Sequence, residues 1–210
     1  MKYISTRQQQ ATNIKTAILK GLADDGGLFM PEYIPQLDSE FFENLPNLTL
    51  QEIGFRVAKE FLGESISDDN LKEIIDEVLN FEIPAVKISE NIYSLELFHG
   101  PTMAFKDVGA RFMARMMSYF SEGKPMKVIA ATSGDTGSAV ASGFFGVPGI
   151  EVYILYPKGK VSPLQEKQFT TWCGNIKALE IHGTFDDCQA LAKQILSDEE
   201  LNQKFKAQWR

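Results

Sequence analysis

Apolar positions divide the chain into two regions with different periods. Over residues 1 to about 82 they recur mainly at helical spacing. Thr49-x-x-Glu52 has the form of a capping box and opens a helix in which Leu50, Ile53, Val57 and Phe61 share one face. Ser67 can cap the next helix, where Leu71, Ile74, Ile75, Val78 and Leu79 recur at the same period. Both stripes are expected to face a core. Gly26-Gly27 with Pro31, Pro35 and Pro46 marks an irregular stretch.

From about Ala85 the period alternates. Ala85–Ser89 and Ile92–Leu97 read as strands joined at Glu90-Asn91. A helix follows over about Lys106–Phe120, with Val108, Phe112, Met113, Met116, Met117 and Phe120 on one face as core. Lys127–Ala131, Glu151–Tyr156 and Ile176–Ile181 read as strands. Between them lie a helix running to Phe145 and one opened by Ser162-Pro163-x-Gln165, an N-cap with proline at N1. That helix stops near Gly174. Phe185–Leu196 and Asp198–Trp209 read as closing helices. The expected fold class is α/β: a mainly helical domain over residues 1–82, then a domain over 83–210 with a parallel sheet covered by helices.

Composition narrows the function. The 210 residues carry 21 Lys+Arg against 28 Asp+Glu, a formal net charge of −7. No basic block exists, which argues against nucleic acid or an anionic membrane as partner. The N-terminal stretch is too polar for a secretory signal, and no apolar run approaches a membrane span. Cys173 and Cys188 lack metal-type spacing, so no metal site is expected and both read as reduced thiols. A soluble cytoplasmic protein is the expectation.

Candidate chemistry lies in three segments. His99–Asp107 (HGPTMAFKD) places Lys106 after a Gly-Pro turn at a helix start, with Met103 and Phe105 as apolar flanks. A desolvated lysine is disfavoured as ammonium, and its amine can then attack a carbonyl. Asp107 suits the helix N-terminus by charge and needs no further role. His99 can serve a site or be a satisfied structural histidine. Thr132–Gly137 (TSGDTG) joins a strand to a helix rich in small residues. Its glycines and the helix N-terminus could gather N–H groups around a carboxylate or phosphate, with Thr132, Ser133 and Thr136 adding hydroxyls. It is neither a P-loop nor G-x-G-x-x-G, and an ordinary turn also fits. Tyr156–Lys167 surrounds a Gly-Lys turn with Lys158, Lys160 and Lys167. Loops after parallel strands are ligand positions in open sheets, although solvated surface lysines fit Lys158 and Lys167 better.

These segments resemble the long-form threonine synthase family within the fold-type II pyridoxal-phosphate enzymes. The resemblance rests on Tyr3–Arg7, Gly21–Glu32, Leu95–Phe112, Ala131–Ala141 and Tyr156–Gln168. It implies that Lys106 holds pyridoxal 5'-phosphate through an imine link, with Phe105 near the ring. It implies that Ser133, Gly134, Asp135, Thr136 and Gly137 receive the α-carboxylate of O-phospho-L-homoserine. Lys160 joins the substrate site as the basic residue of its loop. The products implied are L-threonine and phosphate. A phospholyase giving 2-oxobutyrate, or a non-catalytic domain of the same fold, would share these residues. The family's glycine-rich loop for the cofactor phosphate and the hydroxyl residue beside the pyridine nitrogen are not found, since Gly174-Asn175-Ile176 leads into a strand. The chain therefore resembles about the first half of such an enzyme, and alone it is expected to bind cofactor poorly and turn over slowly or not at all.

Overall fold

The computed structural model describes residues 1–8, 10–198, 200–201 and 208–209. It forms two compact units, residues 1–80 and 81–210.

The first unit combines helices with a small antiparallel sheet. Strand β1 (Tyr3–Ser5) lies between β2 (Ala11–Thr12) and β3 (Phe29–Pro31). The helical reading of this region missed the sheet, because strands of two or three residues are too short to display alternation. Asp25 shapes the turn before β3: its carboxylate accepts from Ser5 Oγ (2.7 Å) and the N–H groups of Gln8 and Gly27. Those hydrogen bonds, that of Ser5 first, hold the Asp25 carboxyl below its ordinary range.

Helices α1 (Ile14–Lys20), α2 (Ser39–Asn44), α3 (Leu50–Leu62) and α4 (Asp68–Val78) each begin at a side-chain cap: Asn13, Asp38, Thr49 and Ser67. Thr49 and Glu52 form the full capping box. The α4 stripe is buried as expected. The α3 stripe is not: Leu50, Ile53 and Phe61 are half-buried and Val57 is exposed, whereas Leu62 is buried. Gly54 makes the close contact instead. A Cβ there would lie 2.7 Å from Leu79 Cδ1. Gly54 lies on the same face as Leu50 and Phe61, and a glycine at a close contact carries no hydrophobic signal of its own.

In the second unit β4 (Ala85–Ser89) and β5 (Ile92–Leu95) form the antiparallel hairpin read from sequence. Helix α5 (Lys106–Ser121) then precedes β6 (Met126–Ala131), α6 (Asp135–Phe144), β7 (Ile150–Pro157), α7 (Pro163–Thr170), β8 (Ile176–Ile181) and α8 (Phe185–Ser197). A short β9 (Gln208–Trp209) pairs parallel to β6, giving the strand order β8-β7-β6-β9. The expected helix over Asp198–Trp209 is therefore corrected at its end. Asp198 does accept from the Leu201 N–H in the manner of a helix cap, but Gln208–Trp209 complete hydrogen bonds along β6, and residues 202–207 lie outside the described residues.

Adjacent residues of β7 point to opposite faces, and Ile154 and Leu155 are both buried, so the sheet is covered on both sides. On one face Leu155 packs with Ile129, Ala131 and Ile181 against Cys188 and Ala192 of α8. Burial raises the Cys188 thiol above its ordinary range. On α5, Met116, Met117 and Phe120 are buried with Ala110 and Ala114, while Met113 is exposed. Asn175 supplies no cofactor loop. Its side-chain amide donates to the carbonyls of Phe144 and Ile150 and accepts from the Gly146 N–H, tying the start of β8 to that of β7.

Helices α5 and α6 meet backbone to side chain at Gly143. A Cβ at that position would lie 3.0 Å from Ala110 C and from Arg111 N, and Arg115 Nη1 donates to the Gly143 carbonyl at 3.0 Å. Since the obstructing atoms are backbone, Gly143→Ala is expected to destabilise the unit by about 1–3 kcal/mol. A lowered urea midpoint with unchanged slope is the measurement.

Candidate active site

Lys106 begins α5, and the segment before it is fastened by the residue after it. Asp107 is fully buried. One of its carboxylate oxygens accepts from the Thr102 N–H at 2.9 Å and the other from Thr102 Oγ1 at 2.5 Å. A Cβ on Gly100 would lie 2.6 Å from Asp107 Oδ2 and 2.9 Å from Phe81 Cζ, so only glycine lets the chain pass so close. Met103 is held in the left-handed region at φ +58°. Asp107 thus does more than complement the helix terminus by charge: it sets the path of the chain into Lys106. Both donors are backbone or hydroxyl groups five residues upstream, a pairing that nothing in the residue pattern distinguishes from solvation.

Lys106 is half-buried, and its amine lies 5.3 Å from the centroid of the Phe105 ring. It forms no ion pair among the described residues. Phe105 and Met103 do not enclose it, being 63% and 76% exposed. His99 stands apart from the amine: Nε2 meets Glu96 Oε2 at 2.7 Å and its ring lies against Phe98.

The Thr132–Gly137 loop closes around its own first hydroxyl. Thr132 is buried, and its Oγ1 accepts from the N–H groups of Gly134 (3.0 Å) and Gly137 (2.8 Å) while donating to the Gly134 carbonyl (3.1 Å). The expectation that Thr132 offers a hydroxyl to a ligand is therefore corrected, and the N–H groups of Gly134 and Gly137 are taken within the loop. The N–H groups of Ser133, Asp135 and Thr136 have no acceptor among the described residues, and all three residues are exposed. Gly134 sits at φ +151°, and a Cβ there would be 2.5 Å from Gln165 Oε1. Thr132→Val keeps the shape and deletes the acceptor, leaving two buried N–H groups unpaired. The expected cost is about 2–4 kcal/mol, read as a lower thermal midpoint.

The loops after β6 and β7 emerge from the same end of the sheet, since the strands are parallel and Ala131 pairs with Leu155. Lys160 follows the turn at Gly159; its N–H donates to Pro157 O (3.1 Å), its side chain is exposed, and it forms no ion pair among the described residues. Lys158 instead pairs with Glu180 at 3.2 Å, and Lys167 is exposed.

Helix α7 links these parts. Its Phe169 is fully buried against Tyr156, with ring centroids 5.0 Å apart. Gln165 Nε2 donates to Asp135 Oδ1 and Gln165 Oε1 accepts from Ser162 Oγ. One turn on, Gln168 Nε2 donates to the Thr102 carbonyl at 3.2 Å. The anion-type loop and the segment leading to Lys106 are thereby held by one helix. Sequence reading used Gln165 only as a helix-start signal and gave Gln168 no role. Contacts across 30 and 66 residues leave no local trace.

A fully buried carboxylate anchors a lysine-bearing loop, and a strand-to-helix loop with unpaired N–H groups follows the first long strand of a parallel α/β sheet. Residues 81–205 match the family model described as pyridoxal-phosphate dependent enzyme, so the chain belongs to that family. Residues 2–79 match a second model, the threonine synthase N terminus. Threonine synthase of Escherichia coli is 44% identical over 185 residues, 88% of this chain and 43% of the relative. That of Haemophilus influenzae is 45% identical over 195 residues, 93% and 45% of the two chains. The crystal structure of pyridoxal-phosphate-bound threonine synthase from Brucella melitensis superposes with a TM-score of 0.92 at 38% identity, covering 100% of this chain and 47% of that one. The fold is thus that of the fold-type II enzymes, and the chain spans about half the length of the relatives it matches. The family's cofactor is pyridoxal phosphate. The donor set here fits an aldehyde-bearing group: a primary amine free of ion pairs, beside an exposed aromatic ring. Among the described residues no helix is long and apolar enough to cross a membrane.

Proposed function

We propose that this chain carries the amine-bearing part of an enzyme that converts O-phospho-L-homoserine and water into L-threonine and phosphate. One observation supports the reading above the others: the segment leading to Lys106 and the Ser133–Gly137 loop are tied to the same helix, α7, through Gln168 to the Thr102 carbonyl and Gln165 to Asp135. The kinship to threonine synthases selects the substrate.

In this reading Lys106 holds the cofactor through its amine, and Phe105 lies beside the ring. The N–H groups of Ser133, Asp135 and Thr136, at the positive end of α6, receive the substrate α-carboxylate, and Gly134 and Gly137 give that loop its shape. Lys160 supplies positive charge at the same end of the sheet. Bound pyridoxal phosphate supplies an electron sink for carbanions formed next to the substrate nitrogen. With its amine free, Lys106 would take protons from Cα and Cβ and return them to Cα and Cγ. Phosphate leaves Cγ with the C–O bonding pair, and water delivers the hydroxyl to Cβ. Asp107 and Thr102 keep the base of Lys106 in place while its side chain moves.

The test is product analysis on the full-length protein loaded with cofactor and given O-phospho-L-homoserine. Threonine and phosphate in equal amounts are expected. Phosphate accompanied by 2-oxobutyrate and no threonine would replace the proposal with the phospholyase.

A further inference from the structure

Asp135 stands at an awkward place for the activity just proposed. It is the first residue of α6 and itself carries one of the three unpaired N–H groups, those of Ser133, Asp135 and Thr136. An aspartate in the first turn of a helix is drawn by charge towards the free N–H groups at that end. Left to itself, Asp135 would fill the anion site from within, and its charge would oppose a second carboxylate arriving there. In the structure the Asp135 carboxylate accepts from none of those N–H groups. Its Oδ1 is taken by Gln165 Nε2, and the Gln165 amide is oriented in turn by the Ser162 hydroxyl, which donates to Oε1 at 2.9 Å. The absence of a side chain on Gly134 gives Gln165 the room to lie there. The buried Phe169 anchors the helix that carries it.

We infer that Gln165 is a positioning residue that restrains the Asp135 carboxylate, keeping the loop N–H groups open for the substrate carboxylate. The inference rests on the proposed function, in which that loop binds the substrate. Gln165 touches neither the lysine nor the reacting carbons in this account. It acts through Asp135, on ground-state capture of the anion, so its loss should fall on KM and spare kcat.

The experiment uses the full-length, cofactor-loaded protein and O-phospho-L-homoserine. Gln165→Met keeps the length and removes both hydrogen bonds. It is expected to raise KM by about tenfold with kcat within about twofold. Asp135→Asn placed on that background removes the competing charge and is expected to return KM to within about threefold of wild type. Gln165→Glu sets two carboxylates face to face and should raise KM beyond the Met variant. Gln165 is half-buried, so these variants are expected to keep the wild-type melting profile and cofactor absorbance. A Met variant with unchanged KM overturns the inference, and so does a fall in kcat with KM left unrestored by Asp135→Asn. A wild-type protein that forms no threonine would instead remove the proposed function itself.

Discussion

Lys106→Ala is expected to abolish covalent cofactor attachment and to lower threonine formation by about 10³-fold or more, the range found when a group that moves protons is deleted. Two readouts separate chemistry from folding. Borohydride reduction of the cofactor-loaded protein should add one pyridoxyl group to the peptide containing Lys106 in the wild type and none in the variant. The thermal midpoint should hardly change: the side chain is half-buried, it makes no ion pair among the described residues, and alanine is the better helix former. Undiminished threonine formation by the alanine variant would refute the assignment of Lys106.

Asp107→Ala should produce the opposite pattern, with stability and activity lost together. The carboxylate satisfies two Thr102 donors in a buried setting. Removing it leaves both unpaired, at a cost of about 2–5 kcal/mol. For a chain of this size that is a fall in thermal midpoint of roughly 6–15 °C. The same substitution releases the segment that holds Met103 in the left-handed region, a conformation that persists only where neighbours enforce it. Lys106 then loses its fixed origin, and threonine formation is expected to drop at least tenfold, or about 1.4 kcal/mol in transition-state terms. Thr102→Val deletes one of the two hydrogen bonds and should cost about half as much, which tests whether the pair acts through the Asp107 carboxylate.

Much of the architecture was readable from residue order because its signals are local. Thr49 with Glu52, Ser67 and Ser162 announce helix starts through contacts three residues long. The strands before and after the Thr132–Gly137 loop are apolar runs whose burial on both faces requires no partner information. The site was legible in outline for the same reason: Lys106 and the glycine-containing loop stand at element boundaries. What the pattern could not supply was who bonds to whom. Asp107 and Asp135 look alike in sequence, each an acid in the first turn of a helix. One is fully buried and consumed by Thr102, and the other is exposed and held by Gln165. Thr132 resembles its neighbours Ser133 and Thr136, yet it alone of the three turns inward. Gly54 escaped a hydrophobic count although a side chain there would strike Leu79 and Ile75.

The inward hydroxyl of Thr132 also bears on the thermodynamics of ligand capture. The chain around it is fastened by three hydrogen bonds, so under the proposed function the substrate carboxylate would find its donors already arrayed and impose little extra loss of backbone freedom. Association there should be governed by stripping water from the ligand and from three amide groups, with a small heat-capacity change and tighter binding of rigid than of flexible carboxylates, since only the ligand has freedom left to lose.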